Sequence, residues 1–210
     1  MSSLLAVPNA LVRLMVVLVL TGSPSAGAPL CAARPGDVDD RYLESCRPRE
    51  VTAAERRLVI ASLPQHGEVT DLTPAERQKL LGIRRVLQAH ARDGIYDIRV
   101  VDVATARTAL YARVVVLISR PALELLAAEE LQGVIAHEVG HEYVWDEWES
   151  ATRQGDSDKL KDLELICDAV GALTLARIGV PPERLILGQP TALSSTRQAS
   201  TGAAFSCSSR

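Results

Sequence analysis

The sequence of 210 residues is poor in aromatic side chains, which make up only 3% of it. A protein that stacks bases or sugar rings on aromatic platforms is therefore not expected. A basic excess is also missing, since the formal net charge is −3 at pH 7, and this argues against a nucleic-acid partner. Apolar residues make up 47% and charged residues 23%. These values are typical of a globular chain with an aliphatic core and exclude an intrinsically disordered one.

The apolar run over residues 14–20 is too short to span a bilayer, which takes about 20 residues. It follows Arg13 and precedes a stretch of small residues that ends at Ala28. This order of basic, apolar and small-residue regions predicts a secretory signal peptide over residues 1–28. We therefore expect an exported protein, periplasmic or secreted, with no stable transmembrane domain after cleavage. The alternative is an uncleaved N-terminal segment that tethers the protein to the membrane.

Four cysteines in an exported chain suggest disulfide bonds, and three pairings are open to them. Cys31 and Cys46 lie in a stretch rich in proline, glycine and aspartate, where a bridge would hold an irregular arm together. A bridge between Cys167 and Cys207 would tie the C-terminal tail to a helix. The alternative for Cys167 is a free buried thiol, because cysteine often behaves as a small apolar residue.

Residues 29–93 are predicted to form an irregular arm followed by two helices. One interpretation of this region is a prosegment. The first helix begins at Thr52, with a glutamate three residues later, which is a capping-box pattern. The second begins at Thr73, with proline at its first helical position. Both helices therefore have defined starting points in the sequence.

Residues 94–187 are predicted to form the main domain, and residues 188–210, which are rich in Ser, Thr, Ala and Gly, a disordered tail. Alternating and β-branched residues predict strands, whereas longer apolar patterns at helical spacing predict helices. The predicted strands and long helices cover residues 95–103, 109–119, 128–148 and 157–178. We therefore expect an α+β fold that is mostly helical and contains a small β-sheet.

The helix predicted over residues 128–148 carries the sequence His137-Glu138-Val139-Gly140-His141. Residues i and i+4 share one helix face, so the two imidazoles can bind one metal ion together. Glu138 lies about 100° around the helix, from where it can reach a water bound to the metal. Zinc is the expected ion because it readily takes imidazole nitrogen and carboxylate oxygen. The alternative is a solvated helix face, but the apolar neighbours predict burial, and buried polar groups need partners.

The second long helix offers a third ligand. Glu164 and Asp168 are also four residues apart among apolar neighbours, so both carboxylates point to one side of the helix. We expect Glu164 to complete a site with three protein ligands. We expect Asp168 to accept a hydrogen bond from the ring N–H of a histidine ligand. Gly171 on the same face would let the two helices approach closely. The alternative is a solvated pair of carboxylates.

The other two histidines, His66 and His90, lie outside any ligand spacing, and we expect a surface or capping role for both. Trp145 and Trp148 extend the motif helix, and the spacing places Trp148 on the same face as His141. We expect these rings to pack or to cover the rim of a cleft rather than to stack on a substrate.

Residues 129–141 match the pattern E-E-L-x-x-V-x-x-H-E-x-x-H, and residues 164–168 match E-x-x-A-D with Cys167 in place of alanine. With the apolar strand over residues 114–119 before them, these motifs resemble the HtpX-like gluzincin metallopeptidases. That family is related to the CAAX prenyl proteases and to the soluble minigluzincins. The resemblance covers about residues 95–180.

The resemblance implies a zincin-like α+β catalytic domain with two long zinc-binding helices. It implies one catalytic Zn²⁺ ion bound by His137, His141 and Glu164, with Glu138 as the catalytic base of a zinc metalloendopeptidase. The substrate would be a peptide or an unfolded segment of an exported protein. The strand over residues 114–118 resembles the family's edge strand, which pairs with the substrate backbone.

The sequence departs from the family pattern in two ways. Alanine stands where the family usually places a Ser or Thr cap before the motif helix, at Ala127 and Ala128. No histidine follows His141 to support a transition state, and Arg177 and Arg184 are the candidate substitutes.

Two alternatives to an active peptidase have the same fold. One is a catalytically inactive zinc-binding protein with a regulatory or interaction role. The other is a latent enzyme in which residues 29–93 cover the cleft. A third alternative is a motif that binds no metal.

Overall fold

The computed structural model describes residues 34–63 and 67–185. The helices in these residues are α1 (Asp40–Ser45), α2 (Ala53–Ser62), α3 (Pro74–Ala89), α4 (Arg120–Leu125), α5 (Ala128–Tyr143), α6 (Trp145–Gln154) and α7 (Ser157–Arg177). The strands are β1 (Asp97–Val101), β2 (Thr108–Tyr111) and β3 (Val115–Ser119). The prediction of a mostly helical α+β fold with a small sheet is confirmed.

Several predictions concern residues outside the described part of the chain. These are the signal peptide over 1–28, the tail over 188–210, His66, Cys31 and Cys207. None of the described helices has both the length and the apolar character that a membrane span requires.

Helices α2 and α3 begin as predicted after Thr52 and Thr73, and both starts are capping boxes. Thr52 Oγ1 accepts a hydrogen bond from Glu55 N at 3.2 Å, and Glu55 Oε2 accepts one from Thr52 N at 2.7 Å. Thr73 and Glu76 form the same pair of bonds at 3.2 and 2.6 Å. These bonds satisfy amides that the first helical turn leaves unpaired. α3 then packs against the motif helix α5.

The three strands form one sheet in the order β1-β3-β2, with β3 parallel to β1 and antiparallel to β2. The predicted single strand over residues 109–119 is wrong, because the chain turns back at Ala112 and Arg113, whose φ angles are 49° and 57°. The turn closes with a hydrogen bond from Val114 N to Tyr111 O at 3.0 Å. The segment 114–118, expected at the edge, therefore lies in the centre of the sheet, and β2 lies at the edge.

The motif helix is shorter than predicted. α5 ends at Tyr143, and Val144, with a φ of −117°, separates it from α6. The residues between the two predicted long helices are helical as far as Gln154, and Gly155 ends α6 with a φ of 68°. A glycine after the last helical turn takes this left-handed conformation readily. The long helix expected over 157–178 is confirmed as α7.

Helices α5 and α7 pack closely on each other, and Gly171 lies at their contact, as predicted. A Cβ atom added at Gly171 would lie 3.2 Å from His137 N, on the facing helix. At this position the side chain of any other residue would push the two helices apart. Gly171 therefore brings α7 directly against the residue that begins the histidine motif.

Cysteine pairing differs from the prediction at Cys167, which is buried and free. The predicted bridge from Cys167 to Cys207 is therefore wrong, and the alternative of a buried thiol applies. Cys46 is disulfide-bonded, and its partner lies outside the described residues. The bridge between Cys46 and Cys31 stays a prediction.

His90 caps the end of α3, as predicted, but it is buried and not on the surface. Its ring forms hydrogen bonds with the Tyr143 hydroxyl through Nδ1 at 2.9 Å and with the Thr174 hydroxyl through Nε2 at 2.8 Å. Burial, with a smaller contribution from nearby arginines, lowers the pKa of His90 to about 3. The neutral ring therefore joins α3, α5 and α7 beneath the motif.

Candidate metal centre

His137, His141 and Glu164 converge at the contact between α5 and α7. One ligand atom from each of the three side chains lies within 4.8 Å of the other two. Glu164 Oε2 lies 3.1 Å from His137 Nε2 and 3.9 Å from His141 Nε2. The structure thus brings together the three predicted ligands, and this cluster could hold a metal ion.

Asp168 contacts the side of the His137 ring that faces away from this cluster. Its Oδ1 atom lies 2.8 Å from His137 Nδ1, so the carboxylate accepts the ring N–H there. This contact leaves Nε2 of His137 directed at Glu164. Burial favours a lower pKa for His137, but the hydrogen bonds to Asp168 and Glu164 outweigh it and raise the pKa to about 10. His137 thus lies between two carboxylates, each of which favours the charged form of its ring.

The His141 ring packs against the side chains of Trp148 and Cys167. The Trp148 ring stands edge-on to it at a centroid distance of 4.6 Å and an angle of 84°. Cys167 Sγ lies 3.5 Å from His141 Nδ1. Burial lowers the pKa of His141, in spite of the nearby Glu138 carboxylate. Burial likewise raises the pKa of the Cys167 thiol, and the nearby Glu164 carboxylate adds to this. His141 therefore favours the neutral form that a metal ligand requires.

Glu138 is held by the edge strand β2 and is not part of the three-residue cluster. Its Oε1 atom accepts a hydrogen bond from the Thr108 hydroxyl at 2.9 Å. Its Oε2 atom accepts one from the Leu110 amide at 3.2 Å. Both oxygens of the carboxylate are thus fixed, beside the first histidine of the motif.

A buried ion pair lies directly after the motif, and sequence reasoning missed it. Glu142 and Arg92 each have 2% of their side chain exposed, and Arg92 Nε lies 3.0 Å from Glu142 Oε2. The Arg113 guanidinium adds a contact at 3.2 Å, and the Tyr96 hydroxyl donates a hydrogen bond. The available signal was Glu142 itself, a charged residue one turn after Glu138 in a helix whose apolar residues predict burial.

Arg177 and Arg184, the candidate substitutes for a transition-state residue, are bound elsewhere. Arg177 Nε donates to Asp40 Oδ1 at 2.7 Å, and Arg184 Nε lies 2.9 Å from Glu129 Oε2. The structure does not join either of them to the three-residue cluster.

The missing side-chain cap of the motif helix is compensated in part. No side-chain oxygen at Ala127 caps α5. The Ala127 amide donates to Glu130 Oε2 at 2.8 Å. Half of a capping box is therefore present.

A scan against models of protein families and a search of curated proteins both found no match to this chain. Its function must therefore be inferred from the site itself. Its components are the converging cluster, the carboxylate of Glu138 held beside it and the edge strand that holds this carboxylate.

Proposed function

We propose that the protein is a zinc-dependent metalloendopeptidase of the gluzincin type, with a zincin-like catalytic domain. The observation that carries this proposal is the convergence of His137, His141 and Glu164. The ligand atoms of a tetrahedral zinc site lie about 3.3 Å apart, and Glu164 Oε2 lies 3.1 and 3.9 Å from the two histidine nitrogens. The residues present therefore fit the ion.

The donor set also favours zinc over other common ions. Two imidazole nitrogens and one carboxylate oxygen are the protein ligands of many catalytic zinc sites, which keep a fourth position open. Magnesium and calcium take mainly oxygen ligands and usually more of them. The contact between Asp168 and His137 at 2.8 Å is the kind of outer hydrogen bond that orients a histidine ligand.

Glu138 would act as the catalytic base. Bound zinc would supply Lewis-acid polarisation of the scissile carbonyl and would lower the pKa of a coordinated water. Glu138 would take a proton from the attacking water and deliver it to the leaving amine. Thr108 and Leu110 hold both oxygens of this carboxylate, and Asp168 keeps the His137 ring in one orientation.

The edge strand β2 would bind the substrate. An extended peptide can add to an exposed sheet edge through backbone hydrogen bonds, with modest demands on its side chains. β2 lies at such an edge and contacts Glu138. We therefore propose that the substrates are flexible or unfolded segments of proteins, and, given the predicted signal peptide, of exported proteins.

A comparison of the wild type with Glu138→Gln tests this function. The full chain is purified, its zinc content is measured by mass spectrometry, and hydrolysis of casein is followed with and without a chelator. We expect both proteins to bind zinc and only the wild type to cleave casein. Glu149→Gln, which changes a carboxylate in an i,i+4 pair with Arg153, is the matched control and should behave as the wild type.

The outcomes separate the proposal from its alternatives. Cleavage by Glu138→Gln at the wild-type rate would exclude Glu138 as the base. A zinc-loaded wild type without cleavage would indicate the inactive or the latent zinc-binding protein. A folded wild type that binds no zinc would exclude the metal site altogether.

A further inference from the structure

We propose that Thr108 is a positioning residue for the catalytic base Glu138, an inference that depends on the proposed peptidase function. The Thr108 hydroxyl donates to Glu138 Oε1 at 2.9 Å. The other oxygen is held by a backbone amide, that of Leu110. The Thr108 hydroxyl is thus the side-chain donor through which the chain aims this carboxylate.

The structure fixes the start of β2, where Thr108 lies. The Arg107 amide donates to Ser119 Oγ at 2.9 Å, and the Ser119 amide donates to Arg107 O at 2.9 Å. Ser119 is fully buried, and its hydroxyl also caps α4 by accepting from Ala122 N at 3.2 Å. The backbone next to Thr108 is therefore locked to the central strand and to a helix start.

The far end of β2 is fixed as well. Arg113, in the turn after β2, contacts buried Glu142 at 3.2 Å and donates to the Arg49 carbonyl. Glu142 belongs to α5, the helix that carries Glu138. Strand and helix are therefore linked both through Glu142 and through Glu138, so that the Thr108 hydroxyl has a defined position relative to the base.

Threonine suits this role better than valine or serine, the residues of similar size. A β-branched side chain has a restricted χ1 angle, which holds the hydroxyl on the side of Glu138. Valine has nearly the same shape but no donor. Serine keeps the donor and loses one methyl group. These two substitutions therefore separate the hydroxyl from the packing of the side chain.

Substrate binding would give Thr108 a distinct task. The Leu110 amide, which now donates to Glu138, is a backbone group of the strand along which we propose that the substrate pairs. A peptide bound there would compete for that amide. The Thr108 hydroxyl would then keep Glu138 in place while the Leu110 amide donates its hydrogen bond to the substrate.

The test measures kcat, KM and zinc content of full-length wild type, Thr108→Val, Thr108→Ser and Thr108→Ala on one quenched-fluorescent peptide. We expect Thr108→Val to lower kcat about 10- to 100-fold, the usual range for a lost hydrogen bond to a charged group. KM and zinc content should stay unchanged, and Thr108→Ser should keep most of the wild-type kcat. Thr152→Val, at an exposed position of α6, controls for the chemistry of the substitution.

Each outcome decides the inference. Wild-type kcat in Thr108→Val, or equal loss in Thr108→Ser, would overturn the role of the hydroxyl while cleavage that depends on Glu138 still stands. If the valine variant does not fold, the comparison of Thr108→Ala with Thr108→Ser decides in its place. A wild type that gives no cleavage, or a fully active Glu138→Gln, would instead remove the proposed function and this inference with it.

Discussion

Gly140 lies so close to Cys167 that a Cβ atom at Gly140 would stand 2.8 Å from the Cα atom of Cys167. The carbonyl oxygen of Cys167 would lie 2.9 Å from the same atom. The obstacle is backbone and not a flexible side chain, so relief requires the two helices to move apart. The helices that carry the three candidate ligands are therefore held at their spacing by a glycine inside the histidine motif.

Gly140→Ala should separate α5 from α7 and weaken zinc binding. We expect a loss of roughly 1–3 kcal/mol in the free energy of unfolding, the usual range for overpacking. The zinc dissociation constant should rise in parallel. Gly36→Ala, where an added Cβ meets nothing within 4 Å, is the control. Unfolding in urea and competition with a chromophoric chelator give both quantities, and wild-type zinc affinity in Gly140→Ala would contradict this account.

Asp168→Asn should weaken zinc binding without removing a ligand. Replacing such a hydrogen-bonding partner typically lowers metal affinity about 10- to 100-fold, and here the contact to His137 Nδ1 is 2.8 Å. Asp162→Asn changes an exposed acid on the same helix and should leave affinity unchanged. Chelator competition measures both variants. Equal affinities would show that Asp168 does not orient the ligand.

Glu142→Leu should be strongly destabilising because it removes the buried partner of Arg92 and leaves only the exposed carboxylate of Glu50, at 3.5 Å, to pair with it. Loss of one member of a buried pair costs about 3–5 kcal/mol, and both side chains here are 2% exposed. The double variant with Arg92→Met should be more stable than Glu142→Leu alone, since the fully buried guanidinium is gone and only Arg113, whose side chain is 16% exposed, has lost its partner. Asp158 lies in an exposed pair with Lys161, so Asp158→Asn should have the same midpoint of urea unfolding as the wild type. A double variant less stable than Glu142→Leu would contradict the explanation.

His90 should make the protein less stable in mild acid. Its pKa is lowered to about 3 in the folded chain, whereas it is near 6.5 in the unfolded chain. The folded state thus resists protonation of His90. This group therefore costs no stability well above pH 6.5, and the free energy of unfolding declines as the pH falls from 6.5 toward 3. Between pH 7 and 5 we expect a loss of about 2 kcal/mol from this group. Urea unfolding of the wild type and of His90→Gln at both pH values isolates the contribution of His90. An equal loss of unfolding free energy in the two proteins between pH 7 and 5 would contradict the assignment.

Removal of residues 29–93 should destabilise the remaining chain and not merely open a cleft. Arg92, the buried partner of Glu142, belongs to this segment, and α3 packs on the motif helix. A trimmed chain would therefore lose a core helix and expose a buried carboxylate. Thermal unfolding and peptidase activity before and after limited proteolysis test this. A trimmed protein that is both stable and newly active would support the latent enzyme.

The parts of the fold that the sequence predicted depend on local chemistry. Thr52 and Thr73 begin helices because their capping bonds join residues three apart. The pairing of His137 with His141, and of Glu164 with Asp168, follows from helical spacing alone. That the two helices meet could be expected from Gly171, whose missing side chain leaves room for a neighbouring backbone.

The parts that the sequence did not predict depend on distant contacts or on unusual conformations. The turn at Ala112 and Arg113 has two positive φ angles but none of the glycine or asparagine residues that usually mark it. Arg113 is held there by Glu142, far away in the chain. The contact of Thr108 with Glu138 likewise joins two separate elements, and no local pattern announces such a pair.

The contact between Glu138 and β2 also affects how the protein behaves toward other copies of itself. An outer strand offers unpaired backbone groups to which a foreign strand can add, and proteins that cannot protect such an edge tend to aggregate. β2 has only four residues, and the amide of Leu110 is already bound by Glu138. The side chain proposed to cleave peptides therefore also occupies one backbone donor to which a foreign strand could otherwise pair.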